Sequence, residues 1–430
     1  MFGRFATTLG ILTALLFVVG SVIGPRAVAA PAHFPLELQF YGGWTGPDGD
    51  VMRNMVSQYN ATHSSVHVTL TTLQWSPLFS KFLTQVRAGS PPDVMAMHWQ
   101  DVAQFASLGV LDPNIVRQAK LKSSDFSSTA WKGTFYKGKQ YALPLDQHMH
   151  GLFYNKTLFS KAHIKSPPAN GKEWVADAIK LTVDSNGKHP NQKGFNPNSI
   201  KTYGLGFLFN HHAFYQWYAL LYQQGGTFMD KSGKRADFNM TYGANAWRFL
   251  ENFVFKYHVV PTAESSPIND FVAQRVAMII DGPWELPLLE KTHIAWATAP
   301  YPQVFKHRAE WGSGHILTIP KQSNAAREKA GLSFAKWIID HSAQWSKSGN
   351  IPVLKKVLYP TRTYPGRTAF IDMMPTEVAL PDIPKGAQVF SAVAPSPILT
   401  AAQAALLRDE DPHSIDSTLK SQVDSITSTP

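Results

Sequence analysis

From residue 34 onward the apolar positions change period several times along the chain. Leu36, Leu38 and Phe40 alternate as on one face of a strand, Val51, Met52, Met55, Val56 and Tyr59 recur at helical spacing, and Val66, Val68 and Leu70 return to period two. A helix with Leu78, Phe82 and Val86 on one stripe follows, then a short strand at 93–97 and a helix carrying Val102, Phe105 and Ala106. This β-α-β-α-β order predicts a mainly parallel sheet flanked by helices, with ligands gathering at the loops beyond the carboxyl ends of the strands. Those loops are YGGWTGPDG at 41–49, LQWSP at 73–77 and HWQD at 98–101, and each contains a tryptophan.

A second α/β unit begins near residue 160. Trp174, Ala178 and Leu181 mark a helix, 184–198 reads as a Pro-, Gly- and Asn-rich surface loop, and 203–207 is a strand. The helix bearing Phe214, Trp217, Tyr218, Leu221 and Tyr222 should stop at Gly225-Gly226, and another helix is expected over 242–257. The continuous apolar run 276–280 fits a central parallel strand that ends at Asp281-Gly282-Pro283-Trp284. Strands at 294–297 and 316–319 are expected to return to the first sheet, followed by a helix at 325–340, a break at 349–352 and a helical C-terminal region.

Residues 140–159, QYALPLDQHMHGLFYNKTLF, join the two units. They read as a strand that leaves one core, exposes Asp146, Gln147 and His148, and enters a second core as the apolar run 151–154. Such a segment suits a hinge between two lobes with ligand in the cleft, and equally an ordinary strand and turn with polar residues in water. Two lobes built from interleaved segments are expected, with no internal repeat.

Composition narrows the class. The 430 residues are 44% hydrophobic and 16% charged, enough apolar mass for two compact lobes. Residues 1–29 have the layout of a signal peptide: Arg4, an apolar run over 9–23, and Ala27-Val28-Ala29, with cleavage expected after Ala29 and a rival site after Ala30. No other run reaches spanning length, so a soluble, exported protein is expected. The chain has no cysteine, which excludes thiol catalysis, thiolate metal sites and a lipid-anchoring cysteine within it. The formal charge of +10 is spread over single and paired Lys and Arg with no run of five, so no nucleic-acid partner is expected. The sparse acids would suit an acidic exterior, where fewer carboxylates have to be protonated.

Several longer stretches, taken in order, resemble a known family. They are YGGWTGPDGDVMRNMVSQYN (41–60), GSPPDVM (89–95), FASLGVLDP (105–113), YALPLDQHMHGLFYNKTLF (141–159) with Pro167-Pro168, FVAQRVAMIIDGPWEL (271–286), WGSGHILTIPKQS (311–323) and SGNIPV (348–353). The chain resembles the extracellular solute-binding proteins of ABC importers, in the sugar-binding family that includes maltose-binding protein. The resemblance implies an α/β, two-lobed periplasmic-binding-protein-like fold. It places 30–144 plus 297–347 in the first lobe and 145–296 plus 348–430 in the second. It further implies a monomer, without catalytic residues, cofactor or metal, that closes on a sugar and delivers it to transmembrane permease subunits. The missing N-terminal cysteine departs from Gram-positive members and implies a periplasmic setting or another mode of retention.

A sugar offers hydroxyls at its rim and a weakly apolar face, so its site needs flat aromatic surfaces and a few amides, imidazoles or carboxylates. Trp44, Trp75, Trp99, Trp284 and Trp311 fall at predicted loop tips or strand ends. Family position adds Asp146, His148, the Gly312 and Gly314 turn, Gln74, Asn210 and Trp217. Trp217 equally suits core packing, Trp284 a helix staple, and the two glycines a plain turn. Trp174, Trp247, Trp337 and Trp345 are assigned to the core. Three rival chemistries remain. A glycoside hydrolase would draw on Asp146, Asp281 and Glu285. A metal receptor would draw on His148, His150, His211 and His212, which lack a full ligand set. A glycerol-phosphate type of ligand would use the turn before the first helix, but Asp48, Asp50 and Asp146 would repel it, which favours a neutral sugar.

Overall fold

The structure, a computed structural model, describes residues 36–261 and 266–428. The predicted signal peptide and its cleavage site lie outside the described residues. Among the described residues no helix is long and apolar enough to cross a membrane.

The first sheet has the order His67–Thr72, Glu37–Gly42, Val94–His98, His315–Thr318, Ala142–Pro144. Its first three strands are parallel, as the βαβ pattern requires; His315–Thr318 runs against them, and Ala142–Pro144, antiparallel to it, runs with them. Val94 to Met97 are fully buried, which is why this central strand reads as an unbroken apolar run. The helices Pro47–Thr62, Trp75–Arg87 and Ala325–Asp340 cover the sheet and complete one core around Phe40, Met55, Phe82 and Phe334.

The second core surrounds a three-stranded sheet in the order Met278–Asp281, Gly151–Asn155, Trp296–Ala299. The α/β class holds, but the strand directions are more mixed than simple alternation suggests. Met278–Asp281 runs antiparallel to Gly151–Asn155, and on its other side parallel bridges join Ile279 to Gly206 and, just ahead of the strand, Val276 to Tyr203. The expected return at 294–297 also fails. Trp296–Ala299 pairs with Gly151–Asn155 in the second core, where the Trp296 indole donates to the Leu289 carbonyl at 3.0 Å, and the chain rejoins the first sheet only at His315. The helix His211–Gln223 runs through this core and ends where Gly225 takes a φ of 86°, as the Gly-Gly signal predicts. The C-terminal helices Pro397–Arg408 and Pro412–Ser428 pack on it and on Met240–Glu251.

A third sheet, ordered Ile351–Pro352, Asp146–Met149, Glu310–Ser313, Glu377–Ala379, lies where the chain passes between the cores. Leu145, Ile316 and Val353 belong to the first core, while Met149, Trp311 and Ile351 belong to the second. The chain thus crosses three times, on strands that hydrogen-bond side by side. Asp146, Gln147 and His148, expected to be exposed, are buried in the middle of this sheet. Strands on both sides and Trp345 above cover them, so a polar run inside a strand signalled an internal network rather than contact with water.

Candidate functional site

A cavity of about 280 Å³ opens between the two cores. From the first come the 43–48 turn, Gln74, Trp75, His98, Gln100, Asp101 and His315; from the second come His211, His212, Tyr215, Trp284, Glu285 and Phe390. His148 and Trp311 reach it from the crossing strands. The first group sits at carboxyl ends of the parallel strands and in the loops that follow them, where open α/β sheets hold ligands, except His315, which starts an antiparallel strand and so lies beside His98 at the same edge.

Aromatic rings and imidazoles form most of the wall. Trp44 stands edge-on to Trp75 and Trp345, with centroids 5.9 and 5.1 Å away. Trp75 lies nearly parallel to His315 at 5.3 Å and tilts over His98 at 4.2 Å. On the other side Tyr215 stacks on Trp311 at 4.1 Å, and Trp284 meets His212 at 5.6 Å and His148 at 5.7 Å.

Asp146 organises this wall from behind. Its Oδ2 accepts from the Trp345 indole at 2.6 Å and lies 2.7 Å from His315 Nδ1. Its Oδ1 accepts from the His315 backbone N–H at 2.9 Å and lies 3.3 Å from His148 Nδ1. Complete burial pushes its carboxyl upward. Attraction to His315 and the bonds from His148 and His315 more than offset that, and hold it well below the usual carboxylate range. Burial pulls His148 down to about 4, His150 to about 3 and His211 to about 4, and also lowers His98 and His212. Near neutral pH these rings are uncharged, each with one donor and one acceptor nitrogen. Burial first, then Asp281 and Asp48, raise Glu285 to about 9, so it faces the cavity as a neutral acid able to donate.

Of the residues singled out from sequence, the cavity brings together Trp44, Gln74, Trp75, His148, Trp284 and Trp311. Asp146 is fully buried behind it, with both oxygens occupied. Trp99 packs beneath Gly314, where an added Cβ would come within 2.4 Å of its indole and 2.1 Å of the Asp146 carbonyl, so this glycine serves close packing. Gly312 is hemmed in by Glu377 in the same way. Asn210 caps its helix by accepting from His212 N–H at 2.9 Å. Trp217 is core: its indole donates to the Gly243 carbonyl and stacks on Trp247.

Sequence reasoning missed His98, Tyr215, His315 and Phe390. His98 and His315 had a signal, since one ends a predicted strand and the other follows the WGSG turn. Phe390 had none, because its segment reaches the cavity only through the packing of residues 380–392. Of the four histidines weighed for a metal, His150 Nε2 and His212 Nδ1 bond to each other at 2.9 Å, while His148 groups instead with His98 and His315.

Two lobe-like cores, three adjacent crossings and a ring-lined cavity between them define a two-lobed α/β binding protein. Residues 43–345 match the sequence profile of the bacterial extracellular solute-binding protein family, and the chain belongs to that family. Among its relatives, a maltotriose-binding protein of Pyrococcus abyssi is 23% identical over 72% of this chain and 64% of its own length. A putative binding protein of Brucella abortus is 28% identical over 37% of this chain and 38% of its own. The chain thus spans less than two thirds of the length of these curated relatives. An ABC substrate-binding protein of Listeria monocytogenes, solved with cycloalternan, superposes with a TM-score of 0.78 at 20% identity, covering 92% of this chain and 100% of that one. The GacH receptor of Streptomyces glaucescens, solved unliganded and with acarbose, gives 0.78 at 20% identity over 92% and 99%.

Proposed function

We propose that this chain is the exported substrate-binding component of an ABC importer, which closes on a neutral mono-, di- or oligosaccharide and passes it unaltered to the permease. The observation that carries this reading is the interlobe cavity, in which indole and phenol rings alternate with imidazoles and amides. Flat rings suit the C–H face of a pyranose, and each neutral imidazole can match one hydroxyl as donor or acceptor. The names of the relatives, which include maltotriose-, maltodextrin- and maltooligosaccharide-binding proteins, support a saccharide. So do the solved relatives holding acarbose, maltose and cycloalternan.

Hinge closure follows from the three crossings, since a ligand that touches both walls favours the state in which they approach. We divide the lobes at those crossings, so that the second segment of the first lobe begins near His315 rather than at 297. We take the protein to act as a monomer, with the permease subunits as its partner. Of the rivals, a phosphorylated polyol fits less well because Asp48 borders the cavity and its lining includes no lysine or arginine, and a hydrolase fits less well because Asp146 is sealed behind the wall. Calorimetric titration with glucose, maltose, maltotriose and trehalose tests the reading, and incubation with chromogenic glycosides separates it from hydrolysis. Saturable binding without turnover is expected.

A further inference from the structure

Three imidazoles on the cavity wall form a set that sugar binding does not account for. His98, His148 and His315 each place a ring nitrogen within 4.8 Å of the others, and all three border the cavity. They come from separate places: the end of Val94–His98, the crossing strand Asp146–Met149 and the start of His315–Thr318.

Each has its Nδ1 beside a carboxylate. His98 Nδ1 lies 3.2 Å from Asp101 Oδ2, His148 Nδ1 lies 3.3 Å from Asp146 Oδ1, and His315 Nδ1 lies 2.7 Å from Asp146 Oδ2. Nδ1 of each ring is thus engaged by a carboxylate oxygen, which leaves Nε2 as the nitrogen free to ligate. A carboxylate behind each imidazole is the outer-shell arrangement of histidine metal ligands, because it fixes the tautomer, orients the ring and raises its basicity. One ring nitrogen of each histidine lies within 4.8 Å of the other two, a spacing at which a single cation can engage all three rings at once.

We propose that the cleft also binds one divalent transition-metal ion of the Zn²⁺ type through Nε2 of His98, His148 and His315, with Asp101 and Asp146 as the outer shell. An all-imidazole set selects Zn²⁺, Ni²⁺ or Cu²⁺ over Mg²⁺ or Ca²⁺, and three protein ligands leave a fourth position open to water or a ligand hydroxyl. Zn–N bonds of roughly 2.0–2.1 Å in a tetrahedral site put the nitrogens about 3.3 Å apart, so the ion draws the three rings inward by about an ångström. His148 lies on a crossing strand and the other two lie on strands of the first sheet, so this contraction acts between the crossing and the first lobe.

The test uses the full-length mature protein without a histidine tag, stripped with chelator and titrated with ZnCl₂ by calorimetry and with CoCl₂ by visible absorption. One ion per chain, with the strong visible bands of four-coordinate Co²⁺, is expected. His98→Asn should weaken binding at least ~100-fold, and Asp101→Asn, which removes only an outer-shell partner, roughly 10–100-fold. If His98→Asn does not melt cooperatively, His148→Gln replaces it. Absence of a stoichiometric site, or binding that both histidine variants leave unchanged, overturns the proposal. Neither result bears on saccharide binding, which is measured separately in metal-free buffer.

Discussion

Tyr215 and Trp311 lie face to face, with ring centroids 4.1 Å apart and planes 9° from parallel. Tyr215 belongs to the helix His211–Gln223 of the second core and Trp311 to a crossing strand, so the stack fixes the plane of a cavity indole against the hinge. An aromatic platform held in one orientation pays little entropy when a sugar settles on it. Trp311→Ala is therefore expected to weaken saccharide affinity at least ~10-fold, equivalent to ~1.4 kcal/mol or more. Calorimetry on the folded variant checks this, and unchanged affinity removes Trp311 from the site.

Asp146 invites the prediction that its loss abolishes ligand response while leaving folding intact. Its buried position instead makes a loss of stability the first expected effect. Removing this buried carboxylate strands the Trp345 indole and two imidazoles, so Asp146→Ala should cost about 3–5 kcal/mol of stability. Urea denaturation measures the loss. A variant as stable as the parent that no longer binds sugar would return Asp146 to direct ligand contact.

The first core has its own ion pair on a buried carboxylate, and neither partner borders the cavity. Arg327 donates from Nε to Asp93 Oδ1 at 2.8 Å and from Nη2 to Oδ2 at 2.5 Å, while the Gln39 N–H and Gln322 amide also bond to the fully buried Asp93. Arg327→Ala leaves that carboxylate partly uncompensated and should destabilise the protein by about 3 kcal/mol. Saccharide affinity should stay within about twofold, since none of these groups borders the cavity. A large loss of affinity in a folded Arg327→Ala protein would show that the first core is softer than its packing implies.

Glu310 and Glu377 face each other in register across the crossing sheet. Burial raises Glu310 from 4.5 to about 8, against the Thr376 hydroxyl and the attraction of Arg308, and burial also raises Glu377. A carboxyl raised in the folded state binds its proton more tightly there than in the unfolded chain. Its contribution to stability is complete below about pH 4.5 and is lost as pH rises through about 8. Glu310→Gln should raise the melting temperature at pH 8, by up to ~3 kcal/mol of stability, and change it little at pH 4.5. Because repulsion from Glu310 also helps to raise Glu377, the difference between parent and variant reports on this facing pair. An equal shift at both pH values would contradict the assignment.

Much of this was legible in the chain itself. Period-two and helical stripes gave the β-α-β start, and Gly225 ended its helix as composition suggested. The 140–159 segment marked the place where the cores meet. Strand direction in the second core was not legible, because an apolar run such as 276–280 looks the same with parallel or antiparallel neighbours. The polar triplet Asp146-Gln147-His148 misled in the opposite sense, since local sequence does not reveal Trp345, roughly two hundred positions away, closing over it. Tryptophans at strand ends were the best site signal, and the histidines were undervalued. His98 and His315 are ordinary in isolation and become a site only when two strands from opposite ends of the chain pair as His315↔His98.

The central claim is that a neutral saccharide is held, unchanged, between the two ring-lined walls. Its most direct test is calorimetric titration of the metal-free protein with maltose, maltotriose, trehalose and longer α-glucosides, in parent and in a Trp311→Ala, His212→Ala double variant. Stoichiometric binding of at least one sugar by the parent, with the sugar recovered intact and affinity collapsing in the variant, is the predicted result. No binding across the panel, or binding that the double variant keeps undiminished, would contradict it.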